Sequence, residues 1–265
     1  MKLTLIGAGA MGEALLAGWL AAGHRPADLS VVEPSAERAA AVTAAHGVRA
    51  VPLSEAAVAD VVVLAVKPHQ IDGVLEELSS RIEVRGNVPL VVSIAAGTPI
   101  AQLEAGLPEG AAVVRVMPNT PALVGQGMAG VVPGHHASAE QVEAVSALMD
   151  AVGRSIVIPE TQIDALTAVS GSGPAYLFYV ADAMIEAGVH QGLTRQQSSE
   201  LVVQTFVGSA ALLATGSRAV ELREQVTSPA GTTAAALRVL DDRGVRAAFL
   251  AAMEACAERG RAMAR

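Results

Sequence analysis

Cysteine occurs once in the 265 residues, at Cys256, so no internal disulfide can form and a cysteine-ligated metal site is excluded. Aromatic residues make up only 2%, so the core must be built from Val, Leu, Ile, Ala and Met, and a binder that stacks nucleic-acid bases on aromatic rings is excluded. Positive charge is scarce: the net charge is -8, Lys2 and Lys67 are the only lysines, and no Lys/Arg stripe offsets the repulsion of phosphate polymers. Long apolar runs are missing too. The nearest, LVVQTFVGSAALLA from Leu201, falls short of the roughly 18 residues of a membrane span and contains Gln204. The first segment, MKLTLIGAGAMGEALLAGWLAAG, has the lysine and apolar character of a secretory signal, but Glu13 and three glycines interrupt it. A cytoplasmic protein is expected. His135 and His136 stand in a loop without Cys or carboxylate at ligand spacing, so no metal site is expected.

What is present divides into two halves. Up to about residue 158, the short apolar runs KLTLIG, LSVVEP, DVVVLAV, PLVVSIAA, AAVVRVMP, MAGVVPG and SIVIP alternate with helical patterns such as MGEALLAGWLAAG and ASAEQVEAVSALMDAVG. Continuous rather than alternating apolar strands, separated by helices, predict a doubly wound parallel sheet covered on both faces. From residue 159 to 265 the strand signal disappears and successive helices remain, with Ser172 and Thr194 as caps and Pro174 in a first turn. The stretch from Arg195 to Ala214 is apolar nearly all round, which predicts packing against another subunit.

The turn LTLIGAGAMGEAL places G-x-G-x-x-G at Gly7, Gly9 and Gly12, after a strand and at the start of a helix. Gly7 permits the tight turn, Gly9 lets backbone approach a pyrophosphate, and Gly12 lets helix and strand lie close. Glu33 ends the second strand about twenty residues on, where an acid accepts from a ribose hydroxyl. The first half is therefore read as a Rossmann-type dinucleotide-binding domain, residues 1–158. Glu33 would repel a 2′-phosphate, whereas Ser35 and Arg38 just beyond would bind one, so both nucleotides stay open at this point.

The second half supplies no lysine for a catalytic role, and the histidines are few. Carbonyl reduction usually demands a strong proton donor, while reduction of a protonated imine needs little beyond positioning. The inventory therefore points toward C=N chemistry. The polar turn Ser228-Pro229-Ala230-Gly231-Thr232-Thr233 precedes the helical run AAALRVLDD. Backbone amides at such a helix start would hold a small carboxylate. Taken alone, though, the turn reads first as an ordinary cap, because caps outnumber anion sites.

The set IGAGAMGEAL, AVKP, SIAAG, RVMPNTPALVGQG, DALTAVSGSGPAY and VTSPAGTTAAAL, in this order and spacing, resembles the pyrroline-5-carboxylate reductase family, over essentially the whole chain. The resemblance implies reduction of L-1-pyrroline-5-carboxylate to L-proline, the last step of proline biosynthesis, with NADPH or NADH as reductant and NADPH slightly favoured. It also implies an all-helical substrate and dimerisation domain at 159–265, a homodimer through that domain or a ring of dimers such as a homodecamer, and an active site that includes the partner's helices. By matching motif, Ile6, Gly7, Ala8, Gly9, Ala10, Met11 and Gly12, then Ala65, Val66, Lys67 and Pro68, then Ile94, Ala95 and Ala96, would line the cofactor. Glu33, Ser35 and Arg38 would lie at its ribose, and Asn119 near the nicotinamide. Glu160, Ser228, Gly231, Thr232 and Thr233 would take the substrate, with Thr233 as proton donor or relay. The carboxylate reading of the turn now replaces the capping one.

Three departures from the family pattern stand out. Ala230 occupies a position usually held by glycine, Ser217-Arg218-Ala219 stands where Glu-His-Pro is common, and Glu33 replaces a small polar residue. Two other functions remain open at this stage: reduction of a different cyclic imine, and a non-catalytic dinucleotide sensor, which would bind nucleotide without turnover.

Overall fold

A computed structural model describes residues 1–86 and 88–263. The chain forms two compact units, Met1–Ser172 together with the stretch from Cys256 onward, and Gly173–Ala255.

The first unit is built on an eight-stranded sheet: β1 (Leu3–Ile6), β2 (Leu29–Val32), β3 (Arg49–Ala50), β4 (Val61–Leu64), β5 (Leu90–Ser93), β6 (Val113–Met117), β7 (Gly127–Pro133) and β8 (Gly153–Val157). The order is β3-β2-β1-β4-β5-β6-β7-β8, so the winding reverses between β1 and β4. Every residue of β1, β4 and β5 is buried, which is why these strands read as unbroken apolar runs. Successive side chains alternate between two cores. Leu3, Leu5, Val61 and Val63 pack on one face with Leu15, Leu16 and Trp19 of α1 (Ala10–Ala21). Ile6, Val62 and Leu64 pack on the other. Among them lie Leu75, Leu78 and Ile82 of α3 (Ile71–Arg85), which follows α2 (Ala36–His46) in the chain. The Trp19 indole N–H donates to the Leu148 carbonyl at 3.0 Å, so the largest buried side chain keeps its polar atom satisfied.

The sheet departs from a purely parallel one at β7, which runs antiparallel to β6. The cause lies in the connection: only a single 3₁₀ turn, Thr120–Val124, separates Met117 from Gly127. A parallel crossover needs a dozen residues or more. The α4 helix (Ile100–Ala105) precedes β6, and α5 (Ala139–Asp150), capped by Ser138, returns the chain so that β7 and β8 pair in parallel. After β8 come α6 (Ile163–Leu166) and a π-helical turn, Thr167–Gly171.

The second unit contains α7 (Gly173–His190), α8 (Arg195–Ala214), α9 (Ala219–Gln225), α10 (Thr232–Asp242) and the first part of α11 (Val245–Met263). Thr194 caps α8 by accepting from Gln197 N–H, and Gly188 lets α7 approach Ser198, whose hydroxyl donates to the Ile185 carbonyl at 2.9 Å. Of α8 only Ser198 and Val202 are buried; Leu201, Val203, Val207, Leu212 and Leu213 are exposed, as are Phe178 and Tyr179 of α7.

Candidate active site

The carboxyl ends of β1, β2, β4 and β5 open into a groove of about 1170 Å³. It sits at the switch point of the sheet, where open α/β folds hold their ligands. The loops after these strands form its walls, and they carry Ile6, Gly7, Gly9, Ala10, Met11 and Gly12, Glu33 and Ser35, Ala65 to Pro68, and Ile94 to Ala96. The three glycines have separable reasons. Gly7 has φ +95°, and a Cβ there would lie 2.6 Å from the Ala65 carbonyl oxygen. A Cβ on Gly12 would lie 2.3 Å from the Gly7 carbonyl oxygen, so helix and strand touch at that point. A Cβ on Gly9 would meet no protein atom within 4 Å, so the bare backbone there opens to the groove. Gly9 is also the N-cap of α1 and lends no side chain to the first-turn amides. These amides have no intrahelical acceptor and suit an anion. The residues therefore fit a dinucleotide pyrophosphate.

Ala8 is buried and clamped on both sides. Its N–H donates to Glu33 Oε2 at 3.0 Å, and its carbonyl accepts from Arg38 Nε at 2.7 Å. The other Glu33 oxygen accepts from Ser35 N–H at 3.0 Å, and the Ser35 hydroxyl accepts from Arg38 N–H as the cap of α2. A second Arg38 nitrogen pairs with Glu13, whose other oxygen bonds the His46 ring at 3.0 Å. The hydrogen bonds from His46 and then Arg38 hold the Glu13 carboxyl below the usual carboxylate range. Arg38 is thus turned back onto the glycine turn, and Ala8 and Arg38 stand behind the groove wall rather than in it.

Lys67 is exposed on the rim, its N–H donating to Gln70 at 3.1 Å, and among the described residues it has no ion-pair partner. Asn119 is nearly buried, and its amide is committed: it donates to the Ser170 carbonyl at 3.1 Å and accepts from Met128 N–H at 2.8 Å. Its neighbours Met117, Pro118 and Thr120 line the groove; Asn119 itself ties that wall to the π-helical turn. Glu160 lies outside the groove lining. Its Oε1 accepts from Ile100 N–H at 2.8 Å and from Arg115 at 2.9 Å. Sequence reasoning passed over Arg115, Glu13 and His46. The signal for Arg115 was visible: one cation inside the apolar run AAVVRVM demands a buried acid partner.

Ser228, Gly231, Thr232 and Thr233 belong to the second unit. Gly231 N–H donates to the Ser228 carbonyl at 3.1 Å, closing a tight turn with Pro229 and Ala230 at its centre. Ala230 has φ +58°, the only positive φ at a non-glycine among the described residues. A proline second and a positive φ third is the pattern of a type II turn, which favours glycine at Ala230. Gly231 is the N-cap of α10 and offers no side-chain bond, and its own Cβ would crowd Ser228 Oγ at 2.3 Å. Thr232 and Thr233 therefore open the helix with amides free of any cap, in a geometry suited to a carboxylate. Among the described residues, no group of three or more His, Cys, Asp or Glu could hold a metal, and no helix is long and apolar enough to cross a membrane.

Fold and groove together define the class: a Rossmann-type, dinucleotide-dependent oxidoreductase followed by a helical domain. Residues 2–97 match the family model described as NADP oxidoreductase, coenzyme F420-dependent, and residues 160–263 match that of pyrroline-5-carboxylate reductase dimerisation. The chain is 45% identical to the pyrroline-5-carboxylate reductase of Corynebacterium melassecola over 97% of its own length and 96% of the relative's. It is 41% identical to that of Pseudomonas aeruginosa over 99% and 97%. The solved structure of the Coxiella burnetii enzyme superposes with a TM-score of 0.94 at 36% identity, covering 100% of this chain and 98% of that one. A Plasmodium falciparum pyrroline carboxylate reductase with NADP bound gives 0.87 at 31%, again over 100% and 98%. The chain belongs to the pyrroline-5-carboxylate reductase family.

Proposed function

We propose that the chain reduces L-1-pyrroline-5-carboxylate to L-proline. Two helix starts without a side-chain cap, each with glycine at its N-cap, carry this reading: Gly9 before α1 and Gly231 before α10. One suits a pyrophosphate and the other a small carboxylate. When bound, NAD(P)H supplies the hydride that reaches the imine carbon, which becomes C5 of proline. The chain's own part is positioning. The walls of the groove, from Ile6 and Gly7, Gly9 to Gly12, Ala65 to Pro68 and Ile94 to Ala96, hold the dinucleotide, with Ala8 behind them, Lys67 as the cation on its polar edge and Asn119 fixing the wall near the nicotinamide. Ser228, Gly231, Thr232 and Thr233 grip the substrate carboxylate, and orientation supplies most of the acceleration. Thr233 donates or relays the proton to the ring nitrogen, and Glu160, held by Arg115, serves the substrate pocket.

Residues 159–265 form the substrate and dimerisation domain in this reading. The exposed apolar side chains of α7 and α8 support a homodimer through it, assembled further into a ring of dimers up to a homodecamer. The partners are then a small-molecule substrate and further copies of the chain, with no nucleic acid, and the setting is the cytoplasm.

Thr232→Pro tests the carboxylate turn. Thr232 is the first residue of α10, where proline is tolerated by the helix but removes one amide donor. The variant should keep its melting temperature and lose substrate binding, whereas Thr233→Ala should lower turnover only modestly. Unchanged kinetics in both would remove the turn from the site.

A further inference from the structure

We propose that the groove selects NADH over NADPH, and that Glu13 is a specificity-determining residue because it holds Arg38 away from a 2′-phosphate. The inference rests on the dinucleotide occupying the groove as described. At the end of β2 the wall presents Glu33, whose two oxygens are already set by Ala8 N–H and Ser35 N–H. A carboxylate fixed in this way accepts from the hydroxyls of an unmodified ribose. A 2′-phosphate has acceptors where those hydroxyls have donors, and it brings negative charge against Glu33.

The cation that sequence suggests for that phosphate is Arg38, and it is committed elsewhere. Its Nε donates to the Ala8 carbonyl and its Nη2 pairs with Glu13, which His46 holds from the other side. Neither Glu13 nor Arg38 lines the groove. Ser35 offers one hydroxyl at the start of α2, where Glu37 adds a further acid. Turning Arg38 toward a phosphate would break the Glu13 pair and leave that carboxylate with His46 alone. NADH therefore stands ahead, where the family resemblance leans slightly to NADPH. Glu33 acts by direct contact with the ribose, and Glu13 acts through Arg38.

Calorimetric titration of the full-length protein with NADH and, separately, NADPH tests both parts. The wild type should bind NADH at least about tenfold more tightly, the effect of one unmatched charged hydrogen bond. Glu33→Ser should bring the two nucleotides to within a few-fold, and Glu33→Gln, which keeps an acceptor for Ala8 N–H, should shift the ratio the same way if the serine variant is unstable. Adding Glu13→Gln to Glu33→Ser should tighten NADPH by roughly another tenfold by freeing one charge-assisted bond, and adding Arg38→Ala should abolish that gain. A merely structural role for Glu13 would weaken both nucleotides alike and would overturn its assignment. Wild type that binds NADPH as well as NADH would overturn the selection itself. Binding of neither nucleotide would overturn the dinucleotide reading of the groove, and this inference with it.

Discussion

Arg115, 6% exposed on β6, donates to Glu160 at 2.9 Å across 45 residues of sequence. The same Glu160 oxygen takes the N–H of Ile100 at the start of α4. One carboxylate thus fastens the sheet, α4 and the approach to α6 together. Arg115→Met leaves an acid without its cation and should destabilise by about 1–3 kcal/mol, less than for a fully buried pair because the Glu160 side chain is 36% exposed. A double-mutant cycle with Glu160→Gln should show coupling of about 1 kcal/mol or more. Additive effects in urea denaturation would show that the pair is geometric only.

Ala230 at φ +58° carries a cost that glycine would not. Left-handed backbone disfavours a Cβ by about 1–2 kcal/mol, and the extra freedom of unfolded glycine returns part of that. Ala230→Gly should therefore stabilise by about 0.5–1 kcal/mol at an unchanged denaturant slope. The β-branched Ala230→Val should destabilise by more than glycine gains. A glycine variant with a lower midpoint would contradict the assignment of strain.

Gly9 and Gly12 separate binding from folding. Gly9→Ala adds a Cβ that meets no protein atom, so the melting temperature should stay within a degree or two while nucleotide affinity falls by about tenfold or more. Gly12→Ala drives its Cβ into the Gly7 carbonyl at 2.3 Å and should lower stability and affinity together. Parallel thermal melts and nucleotide titrations would distinguish these patterns, and equal losses in both variants would refute the roles given to them.

Acid should dissolve the clamp behind the glycine turn. The Glu13 carboxyl is held below its ordinary value of 4.5, first by the His46 hydrogen bond and then by Arg38. Its contribution is therefore complete above that unfolded value and drains away as pH falls through the lower folded one. The stability difference between wild type and Glu13→Gln should shrink on acidification below pH 4.5. A difference that widens there would contradict the depressed value.

Much of this is legible in the sequence itself. The sheet could be read because the buried strands are unbroken apolar runs, and the glycine turn because Gly7 and Gly12 answer to sterics that no other residue satisfies. The cap at Thr194 was equally plain, since a hydroxyl bonding a first-turn amide is a local device. The direction of β7 was hidden because it depends on a linker whose 3₁₀ turn leaves no hydrophobic period. The two-residue β3 was too short to show any pattern. At the ribose end the sequence left Arg38 open between nucleotides, because spacing does not reveal Glu13 and the Ala8 carbonyl converging on it from another helix and turn.

The most direct test of the central claim is to follow label from a reduced nicotinamide deuterated at the transferable position of C4, with L-1-pyrroline-5-carboxylate and the purified protein. The account predicts that the nucleotide is oxidised only when the imine is present and that deuterium appears at C5 of L-proline. Nucleotide bound without oxidation, or oxidised with no deuterium in proline, would contradict it.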